Sequence, residues 1–206
     1  MFITLEGIDR SGKTTQAAML AEALGPDTLL LREPGGTEMA EAVRSLLKDP
    51  ALDMDDVAEL LLFSAARADL VRRVIEPARD AGRDVVCDRF VDSTAAYQGV
   101  ARGLGLDVVE KLMELVVGSC VPERTVLLRV DPDVAHERGR QRLAAGEADG
   151  TDRFEAEGVE FQRAVASAYD EIAARHPERI AVVDAEGDPA EVHRRVLEAV
   201  GRFLPG

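Results

Sequence analysis

The stretch Gly7-Ile8-Asp9-Arg10-Ser11-Gly12-Lys13-Thr14 fits the pattern G-x-x-x-x-G-K-[ST] at every position. It narrows the folds open to this chain more than any other feature, because of what surrounds it. An apolar run, Phe2-Ile3-Thr4-Leu5, stops just before it, and a helical pattern starts at Lys13. A strand that turns through glycines into a helix aims backbone N–H groups and the positive end of the helix at one point. That point suits a phosphate. On this reading Gly7, Ile8, Asp9, Arg10, Ser11 and Gly12 form the cradle. Lys13, at an exposed helix start, reaches the β and γ phosphates of a nucleotide, and the Thr14 hydroxyl holds Mg²⁺.

Four further short runs of Val, Ile and Leu follow, near 28–31, 84–87, 125–130 and 179–183. Each is close to continuously apolar, as strands covered on both faces are. Helix-length segments lie near 13–24, 37–48, 56–80, 107–118, 132–145, 158–175 and 189–203. Asp131-Pro132 and Asp188-Pro189 each put an acceptor at the N-cap and proline at the first helical position, and Glu191 completes a capping box. Strands alternating with helices imply right-handed crossovers. The expected fold is α/β, a five-stranded parallel sheet covered by helices on both faces. No repeat or low-complexity linker divides the 206 residues, which read as a single domain. The small, polar stretch 144–151 reads as a flexible loop within it.

Composition closes off other classes. Hydrophobic residues are 46% and charged residues 31%, which excludes a disordered or coiled-coil chain. The net charge is −14. Polyanion binders gain affinity by releasing counterions with Lys and Arg, so neither a nucleic-acid polymer nor an anionic membrane is an expected partner. Cys87 and Cys120 stand alone, without metal-ligand spacing, and suit a reducing compartment. The first residues carry no basic, apolar leader, and no apolar run nears membrane-spanning length. A cytoplasmic location is expected.

A second metal candidate is Asp88, directly after the apolar run 84–87, in the position of a Walker-B carboxylate. In a parallel sheet the C-terminal strand ends share one edge, so Asp88 is expected beside the phosphate loop. The guanine-reading pattern N-K-x-D is absent, which argues against a GTPase. Of arginines 32, 44, 67 and 89, the run Arg138, Arg140 and Arg142, and Arg153, several fall at strand ends or helix starts near the expected phosphate edge. Transfer of a phosphoryl group to an anionic acceptor needs such a set, because two negatively charged partners must approach each other.

From Phe2 to the last helix the sequence resembles the thymidylate kinases, a family of P-loop nucleoside monophosphate kinases. The resemblance rests on 6–16, on Arg32-Glu33-Pro34-Gly35-Gly36-Thr37, and on 61–67 with Phe63 and Arg67. It rests also on Asp88-Arg89-Phe90, on Ser93-Thr94-Ala95-Ala96-Tyr97-Gln98-Gly99, and on the arginines of a lid-like segment at about 138–153. The resemblance implies transfer of the ATP γ-phosphate to dTMP, giving dTDP, with Mg²⁺ and as a homodimer. Phe63 then stacks on the thymine ring and Arg67 meets its carbonyl at position 4. They are four residues apart, hence on one helix face.

Further implied roles follow residue by residue. Arg44 and Arg89 hold the acceptor phosphate, and Asp9 lies near the sugar 3′-hydroxyl. Tyr97 crowds the 2′ carbon, and Thr94 and Gln98 line the base pocket. Catalytic roles fall to Asp9, Arg10, Lys13, Arg89 and Arg153, and ATP contacts to Arg138 and Arg140 besides the loop. The family has members with the catalytic arginine in the phosphate loop and members with it in the lid. This chain carries arginines in both places, and Arg10 is favoured because the loop is rigid. A kinase of the same fold acting on another nucleoside monophosphate, dUMP included, or on a deoxynucleoside is the alternative enzyme. A nucleotide-binding regulator without activity is the alternative of a different class, against which the intact Lys13, Thr14, Asp88 and Arg89 speak.

Overall fold

The structure, a computed structural model, describes residues 1–146, 153–154 and 157–201; of residue 142 it describes the main chain. Five strands form one parallel sheet: β1 (Phe2–Glu6), β2 (Leu29–Arg32), β3 (Val85–Asp88), β4 (Arg124–Arg129) and β5 (Ile180–Asp184), in the order β2-β3-β1-β4-β5. The register pairs Leu5 with Asp88 and Arg32 with Asp88, so β1, β2 and β3 end together. β1 and β3 are buried at every residue, which is why their sequences show no alternation. Strand ends differ from the sequence reading by a residue or so, β4 starting at Arg124 and β5 ending at Asp184.

The helices are α1 (Lys13–Leu24), α2 (Glu38–Lys48), α3 (Asp56–Leu70), α4 (Glu76–Asp80), α5 (Val91–Thr94), α6 (Leu106–Val117), α7 (Pro132–Ala144), α8 (Gly158–Arg175) and α9 (Pro189–Val200). Asp131 and Asp188 cap α7 and α9 as expected, accepting from Asp133 N–H and from the N–H groups of Ala190 and Glu191. The segment expected as one helix over 56–80 is continuous in course but opens into a π turn at Val71–Ile75. Pro77 supplies the reason. Its ring would collide with the carbonyl four residues back and it has no N–H to give, and a wider turn relieves both.

The sequence reading missed the helical segment of α5 and the π turns Ala95–Ala101 that continue it. Residues 92–99 are all buried, so the segment has no polar face and gives no amphipathic period. It is held from below by charge. Arg179, beside β5, donates to both carboxylate oxygens of Asp92 at 2.7 Å and to Thr125 Oγ1 at 2.7 Å. Thr125 and Thr4 join hydroxyls at 2.8 Å, tying α5 to β4 and β1. Arg179→Leu would strand the nearly buried Asp92 charge. We expect a loss of about 3 kcal/mol in urea unfolding, the low end for a broken buried pair because Arg179 keeps 14% side-chain exposure. The double variant with Asp92→Leu should lose less than the sum of the two single losses.

Candidate active site

The phosphate loop leaves β1 at Gly7 and enters α1 at Lys13. Gly7 has φ +142°, and a Cβ there would lie 2.6 Å from the Leu128 carbonyl oxygen, so only glycine lets the loop cross β4. Lys13 is buried, not exposed as the sequence suggested: its Nζ donates to the Ile8 carbonyl at 2.7 Å and reaches Ser11 Oγ at 3.4 Å. It lies across the mouth of its own loop. Burial, with Arg89 nearby, lowers its pKa to about 8 against the pull of Asp88, Asp9 and Glu6. Asp88 emerges from β3 beside Thr14, whose hydroxyl donates to Oδ2 at 2.6 Å. Its other oxygen, Oδ1, is buried with no partner. An orphaned carboxylate oxygen next to a hydroxyl, at the phosphate loop, is the donor set a Mg²⁺ held mainly by nucleotide phosphates requires. Among the described residues no cluster of three or more His, Cys, Asp or Glu offers an all-protein metal site.

The residue after Asp88 takes an unusual backbone conformation. Arg89 has φ +72° and Arg10 φ +65°, the two non-glycine residues of left-handed conformation among those described. A bulky side chain there is held only when its surroundings insist. The Arg89 guanidinium pairs with Asp9, donates to Ser93 Oγ at 3.0 Å and to Gly7 O at 3.3 Å, and lies 5.1 Å over the Tyr97 ring. Burial alone would raise the Asp9 pKa, but Arg89, then Lys13 and Gln162, outweigh it and hold the carboxyl below its usual range. Gln162 of α8 clamps Asp9 from both sides, its amide NH₂ on Oδ2 at 2.9 Å and its carbonyl accepting the Asp9 N–H at 3.2 Å.

On the far side Arg67 is almost wholly buried. Its Nε donates to Glu33 at 2.7 Å, NH1 to Thr94 Oγ1 at 2.7 Å and NH2 to the Phe90 carbonyl at 2.9 Å. Phe63 is half-buried and meets Phe154 edge to face at 5.7 Å. Arg44 is anchored on the Pro34 carbonyl at 2.9 Å. A cavity of about 1070 Å³ joins the two sides. It is lined by Asp9, Arg10, Ser11, Gly12, Lys13, Thr14 and Asp88 at one end, and by Arg44, Phe63, Arg67, Thr94 and Gln98 at the other. Arg89 and Tyr97 stand between, and Arg138 closes one wall.

The family model for thymidylate kinase matches residues 5–196. The chain belongs to the thymidylate kinase family. It is 45% identical over 207 residues to the thymidylate kinase of Desulfosudis oleivorans, covering 98% of this chain and 97% of that one. It is 48% identical over 208 residues to the thymidylate kinase of Rhizorhabdus wittichii, covering 99% and 98%. The crystal structure of thymidylate kinase from Ehrlichia chaffeensis superposes with a TM-score of 0.78 at 35% identity, covering 98% of each chain.

Against this family background the arginines of the lid-like segment separate. Arg138 donates to the Ala185 carbonyl at 3.1 Å and faces the cavity, as do Ala185 and Gly187 of the loop after β5. Arg140 turns outward, 71% exposed and paired with Glu137 of its own helix. Arg153 is away from the cavity, donating to the Leu47 carbonyl at 3.1 Å, pairing with Glu59 and stacking 4.7 Å over Phe154. This departs from the expected phosphate contacts of both residues. Residues 147–152 and 155–156 of the segment, and the Arg142 side chain, lie outside the described residues. Gly7 and Ile8 build the loop but do not line the cavity.

Three residues of the site escaped the sequence reading of roles: Glu6, Gln162 and Tyr169. Gln162 and Tyr169 carry no motif; they are seven apart on one face of α8. Glu6 had a signal, an acid closing an apolar strand. Its carboxylate accepts from the Phe90 N–H at 2.7 Å, Ser93 Oγ at 2.6 Å and Tyr169 OH at 2.8 Å. It thereby pins the turn that presents Arg89. Burial and then Asp92 raise its pKa to about 7, against Ser93, Arg89 and Tyr169. A raised carboxyl pKa means the native state holds a proton the unfolded chain has released, so stability falls as pH rises through this window. Between about pH 5 and 7 we expect Glu6 to remove on the order of 3 kcal/mol of unfolding free energy. Glu6→Gln should flatten that slope. An unchanged slope in urea titrations would overturn the assignment.

Proposed function

We propose that this chain transfers the γ-phosphate of ATP to dTMP, releasing dTDP and ADP. The single observation that carries the reading is the continuity of the cavity, from a phosphate cradle to a pocket of an aromatic ring and a planar guanidinium, with Arg89 midway. In that arrangement the loop N–H groups and Lys13 bind the donor phosphates, and Arg138 and the loop after β5 flank the rest of the donor. Phe63 stacks on the flat pyrimidine, while Arg67, Thr94 and Gln98 meet its edge. Arg44 and Arg89 hold the acceptor phosphate and neutralise charge as the two anions approach. Asp9, kept ionised by Arg89, fixes that guanidinium and can accept from the sugar 3′-hydroxyl. Thr14 and Asp88 would hold Mg²⁺, which when bound supplies charge neutralisation across the β and γ phosphates.

The finer properties are proposals of the same kind. Residues 138–153 act as a lid on a single kinase domain. A cytoplasmic location is supported by two free, buried cysteines, Cys87 and Cys120. No helix among the described residues is long and apolar enough to cross a membrane. A homodimer is supported by exposed apolar side chains on the packed helices α3 and α6, Val57, Leu61, Val108 and Leu115, the last 78% exposed. Light scattering of the purified chain tests it.

ADP release measured with each deoxynucleoside monophosphate and with ribothymidine monophosphate tests the activity: dTMP should give the highest kcat/KM. Because Lys13 is buried, Lys13→Met is a better probe than alanine. It should lower kcat by about 10²- to 10³-fold, the scale of one lost electrostatic stabiliser, with an unchanged circular dichroism spectrum. Arg10 crosses α7 at Gly139, where a Cβ would run into its guanidinium, so it is placed between loop and lid. Arg10→Ala should reduce the single-turnover rate sharply with little change in the KM for dTMP, whereas Arg153→Ala should spare the chemical step. The reverse pattern would move the catalytic arginine to the lid.

A further inference from the structure

Glu59 lies on α3 with no exposed surface, and its two oxygens face different parts of the molecule. Oε1 accepts from the Gln98 side-chain NH₂ at 2.6 Å. Oε2 pairs with Arg153, and Arg102 stands 3.5 Å from Oε1. Gln98 is itself buried and is a wall of the cavity, beside Thr94 and Arg67. A glutamine amide has a donor end and an acceptor end of nearly equal shape, and a neighbour must decide which way it points. An ion-paired carboxylate has no proton to give. The NH₂ end must therefore face Glu59, which leaves the carbonyl oxygen as the amide's remaining polar end.

We infer that Glu59 is a specificity-determining positioning residue: by fixing the flip of Gln98 it makes the base-reading edge present an acceptor. The inference rests on the proposed reading of this cavity as a pyrimidine pocket. An acceptor at that edge suits a base whose ring nitrogen at position 3 carries hydrogen, as in thymine and uracil. It opposes cytosine, whose nitrogen at position 3 carries a lone pair, because two acceptors face each other in a closed pocket. Nothing in the apolar wall can make that distinction, since the three rings stack alike. The two guanidiniums behind Glu59 complete the device. Both meet the carboxylate directly, Arg153 at Oε2 and Arg102 at Oε1.

The test compares kcat/KM for dTMP, dUMP and dCMP in four proteins: wild type, Glu59→Gln, Gln98→Met and the double variant. A glutamine at 59 can give as well as accept, which frees the Gln98 amide to turn over. Glu59→Gln should then narrow the dTMP-to-dCMP ratio by roughly tenfold or more, the scale of one mispaired buried contact. The dTMP-to-dUMP ratio, which reports only the methyl group, should stay where it is. In the Gln98→Met background the same change at 59 should alter neither ratio. Equal losses for all three substrates, or a narrowed ratio that persists without the Gln98 amide, would overturn the inference and leave Glu59 a packing residue. If Glu59→Gln fails to fold, Glu59→Asp, which withdraws the carboxylate from the amide by one methylene, carries the same comparison with the same two outcomes. A wild type that phosphorylates no pyrimidine monophosphate would instead overturn the functional reading itself, and this inference with it.

Discussion

The Arg89–Asp9 ion pair is the constraint on which the rest of the site depends. It joins the end of β3 to the phosphate loop that follows β1, two neighbouring strands whose C-terminal ends lie side by side. Arg89 must adopt a left-handed backbone to reach across, and a conformation of that kind persists only under compensation from several directions. The compensation is visible. Ser93, Gly7 and Tyr97 take the guanidinium, Gln162 takes the carboxylate, and Glu6 holds the next backbone N–H. The two ends of the cavity are thereby fixed relative to each other by the protein itself, the preorganisation on which the proposed transfer by positioning would draw.

Charge is buried here at some cost to stability. Glu6, Lys13, Glu33, Glu59, Arg67 and Asp92 are all nearly or wholly removed from solvent. Glu6 and Lys13 are driven toward their neutral forms by burial, while Asp9 is held charged because its partners outweigh burial. Arg67 shows the other solution, with all three of its nitrogens held by protein partners, Glu33, Thr94 and the Phe90 carbonyl. Such groups stabilise a fold poorly compared with packed apolar ones, but each has a fixed direction. In the proposed reading, in which the site tells hydrogen-bond donors from acceptors, direction counts for more than net energy.

Much of this could be read in advance because it is local. The glycine pattern, the strand before it and the start of the helix after it lie within the first fourteen residues, and backbone sterics alone dictate the turn. Five continuously apolar runs announce a doubly covered parallel sheet, and the Asp-Pro pairs announce helix starts. The segment 91–101 gave no such signal. It is buried all round, so the amphipathic period by which helices are recognised is missing. Lys13 is buried despite its position at a helix start, because its side chain folds back onto the Ile8 carbonyl.

By itself the sequence determined the glycine-rich turn between strand and helix, the α/β class and, through its resemblance to the thymidylate kinases, a set of residues that the fold brings to one cavity. Only the tertiary structure decided which arginine faces what. Arg138, Arg140 and Arg153 are chemically alike in the sequence, yet one lines the cavity, one is solvated beside Glu137 and one is drawn off to Glu59. The same holds for Glu6, Glu59, Gln162 and Tyr169, whose partners lie 39 to 163 residues away. Local rules reach about a helical turn along the chain, whereas the partner of a buried charge is set by which strands and helices pack together.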